Sequence, residues 1–299
     1  MPRKDEILSE LLARKTREIV ARSGNYAAFL RTAARNYKYT FREQVLIHAQ
    51  RPDATACAEI DIWNRLGRRV NRGATGIALL RDPSLSYRIR YVFDISDTNS
   101  RENRDISLWQ MKPEYENEVI QALQDKFLLN RDGSFLDAVE ILSRQLAEEA
   151  AGDCLPDLLN NKKDSFLEEL DNNSIARWFK DAVSESVRYM VLHRCGYAPE
   201  LDSDVSGCIL DFNTASILGS VASTLSQSVL REIGVTVKSL ERQQSRTFDS
   251  FGDTVYNEAR KNDERSQNNG TDLQNAGRLP STQPDSPGES QGGQVRDAA

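Results

Sequence analysis

Apolar residues recur at helical spacing from the start of the chain. Ile7, Leu8, Leu11, Leu12, Ile19 and Val20 fall near one face, which predicts a helix over about 5–22 that Gly24 ends. A second short helix is predicted over about 26–36. A third starts at Thr40, because Thr40-Phe41-Arg42-Glu43 has the spacing of a capping box, with a hydroxyl and a carboxylate three residues apart. It runs through Val45, Leu46 and Ile47 to about Gln50, and Pro52 marks its exit. The pattern then changes. Thr55 to Ala58 predicts a short strand, and Glu59 to Leu66 one or two helical turns stopped by Gly67. Arg68-Arg69-Val70 and Gly76-Ile77-Ala78-Leu79-Leu80 predict short strands around a glycine-containing turn at Asn71-Arg72-Gly73-Ala74-Thr75, in the manner of a hairpin. Tyr87 to Ile95 alternates, with Ile89, Tyr91 and Phe93 on one side and Arg88 and Arg90 on the other. That predicts a half-buried strand, closed by Asp97-Thr98-Asn99.

From Pro113 onward the pattern is mostly helical, over about 114–129, 134–150, 164–170 and 174–195. A further helix over about 213–233 carries Ile217, Leu218, Val221, Leu225, Val229 and Leu230, and charged helix with little apolar content continues toward Lys261. Asn262 to Ala299 is rich in Asn, Gln, Ser, Gly, Pro and Asp and has no aromatic residue. It buries too little apolar surface to offset the entropy of ordering, so a disordered tail is expected. The expected fold class is α+β. A small domain of helices and a short antiparallel sheet occupies 1–112, a mainly helical domain 113–242, and a charged helix with the tail 243–299.

Charge divides the chain in the same place. Up to Lys112 there are 21 of the 39 Lys and Arg against 13 of the 45 Asp and Glu, leaving 18 against 32 in the rest. A basic module that meets a polyanion, joined to an acidic one that does not, fits this division; so does a solvated basic surface with no partner. No run approaches the ~18–20 consecutive apolar residues of a membrane span. The N-terminus leads into an amphipathic pattern and not an apolar signal core, so a cytoplasmic location is expected. Cys57, Cys154, Cys195 and Cys208 form no C-x-x-C pair and no common zinc spacing, and reduced core thiols are expected.

The stretch from Trp63 to Leu79 concentrates candidate chemistry. It holds Arg65, Arg68, Arg69 and Arg72, one tryptophan, and Gly67, Gly73 and Gly76. Arginines bind phosphates bidentately or stack on bases. Glycines turn at positive φ and let a backbone come close to a ligand. Trp63 has two readings: a stacking face for an unpaired base, or a core residue one helical turn from Leu66. Upstream, Tyr37-Lys38-Tyr39 adds a cation between two aromatics, and Tyr39 also suits a hydrophobic staple before the third helix. Four arginines without nearby acids repel one another unless something neutralises them.

Four blocks carry a resemblance. Tyr39-Thr40-Phe41-Arg42-Glu43-Gln44, Gln50-Arg51-Pro52-Asp53-Ala54-Thr55, Trp63…Gly67-Arg68…Val70…Gly73…Gly76-Ile77, and Phe93-Asp94-Ile95-Ser96-Asp97-Thr98 resemble, in order and spacing, the N-terminal domain of ArdC-type antirestriction proteins and the related LtrC-like plasmid proteins. The resemblance covers about residues 25–112. It implies a single-stranded DNA-binding domain of a mobile genetic element, whether plasmid, phage or conjugative element, which helps to protect transferred DNA from host restriction. Similar regions precede helicase or methylase modules in larger proteins, so a helicase or methylase of the same element is an implied partner. Carried residue by residue, DNA contact falls on Arg65, Arg68, Arg69 and Arg72, and then on Lys38 and Trp63, with Gly73 and Gly76 forming the turn.

Proteins of that family often continue into a zinc metallopeptidase domain with an H-E-x-x-H helix. This chain has two histidines, His48 and His193, too far apart in sequence to form that pair. The helix from Ser184 to His193 sits where the zinc helix would stand and lacks the motif. His193 lies at a helix end, where the dipole favours it. There is no Walker A loop, no G-x-G-x-x-G and no G-x-S-x-G. The expectation is therefore no catalytic residue, metal or cofactor, and a function of binding and shielding. Three alternatives stay open: a metallopeptidase-like enzyme with a displaced site, an adaptor for a helicase or methylase, and an acidic half that mimics DNA.

Overall fold

The computed structural model describes residues 3–81, 89–100, 106, 108–129, 133–160, 162, 165–201 and 212–274. Three helices come first: α1 (Lys4–Val20), α2 (Ser23–Arg35) and α3 (Phe41–Gln50). The capping box of α3 forms, with Glu43 accepting from the Thr40 amide at 3.1 Å. α1 opens similarly, Glu6 accepting from the Arg3 amide at 2.9 Å. Gly24 lies inside α2 and does not end α1. The break falls at Arg22, whose extended backbone starts the next helix.

The strand region contains β1 (Cys57–Ala58), α4 (Ile60–Arg65), β2 (Arg68–Val70), β3 (Ile77–Leu80), β4 (Ile89–Asp94), a 3-10 turn (Ile95–Asp97) and β5 (Thr98–Ser100). The expected hairpin between β2 and β3 does not form. β3 pairs with β4, which also pairs with β1, while β2 pairs with β5, all antiparallel. The 3-10 turn after β4 brings Thr98–Ser100 back beside β2, and Asn71 N–H extends that ladder by donating to Asp97 O at 2.8 Å. A turn signal sets where a chain reverses, but it does not choose between two candidate partners for a short strand.

β4 also faces the other way from its expected orientation. Val92 and Asp94 are buried, at 0% and 2% exposed, whereas Tyr91 is 45% exposed. The inner face accepts polar residues because each is satisfied. Arg90 pairs with Glu43 and with Glu59, and Asp94 accepts from backbone amides. With Val92, the buried Ile77 and Leu79 complete the inner face, on which α1 and α3 pack. Tyr87 and Arg88 lie outside the described residues.

The helices that follow are α5 (Glu116–Phe127) after a 3-10 turn (Pro113–Tyr115), α6 (Phe135–Asn160), α7 (Asn172–Arg194) after a 3-10 turn (Phe166–Glu169), and α8 (Phe212–Gln274). α6 runs ten residues past its expected end and contains Pro156, since Ala151 and Leu158 extend its buried face. Asp171 caps α7 by accepting from the Asn173 and Ser174 amides at 2.9 and 3.0 Å. α8 enters the stretch from Asn262 that was expected without structure. Lengthening an existing helix adds a hydrogen bond per residue with no new nucleation. Residues 275–299 of that stretch lie outside the described residues.

The fold is α+β, mainly helical with small antiparallel sheets. It divides into two compact units, Met1–Glu241 and Arg242–Ala299. The expected boundary at 112/113 falls inside the first unit, and that at 242/243 falls beside the division between them. One core runs through the first unit from Leu8 to Val237. The buried Tyr26 hydroxyl meets Ser186 Oγ at 2.7 Å, tying α2 to α7. Trp109 is held from three sides: its Nε1 donates to Tyr37 Oη at 3.4 Å, the Arg194 guanidinium lies 3.7 Å over its ring, and Gly234 of α8 leaves the space it fills.

Two substitutions test this packing with opposite signs. A Cβ at Gly219 of α8 would overlap the buried Phe41 ring, so Gly219→Ala should lower unfolding free energy by about 2 kcal/mol despite its better helix propensity. Leu128 closes α5 in the left-handed region at φ 55 and is 84% exposed. Leu128→Gly removes the steric cost and forfeits little burial, and should raise stability by about 0.5–1 kcal/mol. Chemical denaturation of each variant measures both.

Candidate nucleic-acid interface

The structure separates the four arginines. In a strand, successive side chains point to opposite faces, so Arg68 and Arg69 of β2 part. Arg68 is half-buried and donates from Nε to Thr98 Oγ1 at 2.6 Å and from Nη2 to Thr98 O at 2.8 Å. It fastens β2 to β5. Arg69 is exposed, as are Arg65 at the end of α4 and Arg72 in the loop between β2 and β3, and none of the three forms an ion pair with a described residue. The neighbouring arginines differ: Arg51 pairs with Asp97, Arg81 with Glu59, and Arg90 with Glu43 and Glu59. Three guanidiniums without an ion pair among the described residues thus lie within eight residues of chain.

Trp63 takes the core reading. It is 3% exposed, and its Nε1 donates to Phe93 O at 2.9 Å, so its ring cannot receive a base. Tyr37 is buried against Trp109, and Tyr39 donates to Cys57 O at 2.8 Å beneath the Arg90 guanidinium. Of that trio Lys38 alone is exposed, and its carbonyl accepts from Gln227 of α8 at 3.1 Å. Gly73 serves the loop at φ 87. Gly76 has no positive φ. A Cβ there would meet Phe93 Cζ at 3.1 Å and Tyr91 Cβ and Cδ1 at 3.2 Å, so it permits a close approach and does not make a turn.

The blocks of the sequence resemblance meet one another here. The Asp94 carboxylate accepts from the amides of Thr55, Ala56 and Ser96 at 2.6, 2.9 and 3.0 Å. Burial raises its pKa, but the hydrogen bonds from Ser96, Ala56 and Thr55 outweigh burial and hold it below the ordinary carboxylate value. Arg51 reaches Ser96 Oγ at 2.9 Å as well as Asp97. The Gln50 amide bonds both the N–H and C=O of Ala78 at 2.9 Å, closing the free edge of β3. These residues build the scaffold, and the exposed arginines sit on it.

The histidines are structural. His48 Nδ1 lies 2.9 Å from Thr32 Oγ1, and the ring meets Phe29 edge-on. Burial, then Lys15, Arg35 and Arg31, lower its pKa to about 4. His193 stacks on Tyr189, and burial with Arg35 and Arg31 lowers its pKa too, against the helix-end preference for its cation. Cys57, Cys154 and Cys195 are free thiols, while Cys208 lies outside the described residues. Burial pushes Cys57 and Cys195 up to about 12. Among the described residues no three His, Cys, Asp or Glu side chains gather as metal ligands, and no helix is long and apolar enough to cross a membrane.

No family model and no curated protein matches the chain. Among solved structures, similarity is found to the metal-free crystal structure of the antirestriction ArdC protein from the R388 plasmid. Identity is 13%, the match covers 66% of this chain and 85% of that one, and the TM-score is 0.35. Superposition at that level assigns no residue of this site.

The histidine environment makes a pH prediction. Between about pH 6.5 and 4 the unfolded chain binds a proton at His48 that the folded chain refuses. The unfolded state then holds more protons, so stability falls as pH drops through this window, by about 2–3 kcal/mol for His48 alone. Asp94 adds its loss below about pH 3.9, as its hydrogen-bonded carboxylate is protonated. Urea unfolding between pH 7 and 4 measures the slope, and His48→Gln should flatten it.

Proposed function

We propose that the chain binds single-stranded DNA for a mobile genetic element and shields it, without breaking bonds and without a cofactor. The observation that carries this reading is the exposed set Arg65, Arg69 and Arg72, unpaired among the described residues, on a scaffold where Arg51, Arg81 and Arg90 all have acidic partners. A fold that pairs Arg51, Arg81 and Arg90 and leaves three arginines within eight residues of chain exposed presents a surface complementary to phosphates. Lys38 adds a further exposed cation, and Arg68 supports the strand that carries Arg69. The sequence blocks that resemble ArdC-type N-terminal domains supply the mobile-element setting, and the amphipathic N-terminus the cytoplasmic location. A helicase or methylase of the same element is the protein partner of this proposal.

Fluorescence anisotropy of labelled single-stranded and duplex oligonucleotides against the full chain tests it. Binding should favour the single strand and weaken with salt. If three phosphates are neutralised, replacing Arg65, Arg69 and Arg72 by alanine should make the slope of log K against log salt shallower by about 2. No binding to either form at low salt would overturn the proposal.

A further inference from the structure

Burial of Trp63 leaves the interface without the aromatic face that the sequence suggested, and the structure offers another. The outer face of the β1–β4–β3 sheet carries Ile89, Tyr91 and Phe93 of β4. Ala78 stands opposite Tyr91, Leu80 opposite Ile89, and Ala58 opposite Phe93. Its neighbours are half-buried, but Tyr91 is 45% exposed. Ala78 and Gly76 put almost no side chain beside the Tyr91 ring, and Gly76 lies directly against it. Gly76 ends the loop that carries Arg72. The two are four positions apart, at most ~14 Å of extended chain. A flat aromatic surface and an unpaired guanidinium therefore lie within the span of a few nucleotides.

We infer that Tyr91 is the base-stacking residue of the interface: the outer sheet face receives an unpaired nucleobase on the Tyr91 ring while Arg72 and Arg69 hold the flanking phosphates. This rests on the DNA-binding reading above and adds to it the group that contacts bases. Charge complementarity chooses the occupant. An apolar face bordered by uncompensated arginines suits a polyanion that carries aromatic rings, and a single strand presents both at short intervals. In a duplex the bases are stacked on one another, so the same face gains nothing from them.

The test compares, with the full chain, an oligothymidylate and an abasic strand of equal length and charge. The wild-type protein should bind the base-bearing strand about tenfold more tightly. Tyr91→Ala should reduce that ratio to about one, leaving affinity for the abasic strand and the salt slope unchanged, which also shows that the variant is folded. Tyr91→Phe should keep the ratio. Salt-sensitive binding with the same ratio in Tyr91→Ala would overturn the stacking role and leave the DNA reading intact. Absence of binding to both strands by the wild-type protein would overturn both.

Discussion

The strand region is organised around one buried carboxylate. Asp94, at the end of β4, takes amides from Thr55 and Ala56 on one side and from Ser96 on the other. A carboxylate 2% exposed is tolerable only when such donors replace water, so the two donor segments are fixed relative to β4 and to each other. Arg51 then bonds Ser96 and Asp97, and Trp63 bonds the Phe93 carbonyl. Through these contacts α4 and the β2–β5 pair are referenced to the end of β4. Arg65 sits on the first and Arg69 on the second, so their placement follows from a group that touches no ligand.

The same logic sorts the basic residues. Net charge divides the chain near residue 112, but packing does not. Tyr26 meets Ser186, Phe41 fits against Gly219, and Trp109 lies between Tyr37, Arg194 and Gly234. The basic stretch therefore has its helices covered by the later, acidic ones, and its cations are either paired inside or turned outward. Excess positive charge over this stretch is a property of its surface. An arginine with two glutamates in reach, as Arg90 has, or with backbone acceptors, as Arg68 has, contributes to the fold; an exposed arginine such as Arg69 acts on what approaches from solution.

Local signals were legible in the sequence. The helical periods of α1 to α3, the Thr40–Glu43 box, and the Gly67 stop at φ 75 all depend on residues close in the chain. Pairing was not. β2 and β3 looked like one hairpin because a glycine-containing turn lay between them, but β3 pairs with β4 and β2 with β5, the strands on either side of the Ile95–Asp97 turn. The inversion of β4 has a similar cause. Ile89, Tyr91 and Phe93 alternate with Arg90, Val92 and Asp94 in either orientation. What turned Arg90 and Asp94 inward was a set of partners at residues 43, 59, 55 and 56, invisible to a period of two. The candidate site was half legible for the same reason: three of the four clustered arginines are exposed, but Trp63 and Arg68 are held by Phe93 and Thr98, contacts about thirty residues away in sequence.

That exchange of roles bears on selectivity. Guanidiniums interact with phosphates on one strand or two, so in the proposed interface Arg65, Arg69 and Arg72 alone would give affinity without choosing between them. Preference for a single strand needs a surface that gains from bases only when they are unstacked. Trp63 is spent on the scaffold, where its Nε1–H serves the Phe93 carbonyl and its ring is enclosed. Tyr91 is placed oppositely, with half its surface in water, small residues beside it and Gly76 against its ring. The aromatic that fixes the end of β4 and the aromatic proposed to meet a base are therefore different residues. The inward turn of Asp94, which anchors the strand, is what turns Tyr91 outward three positions earlier.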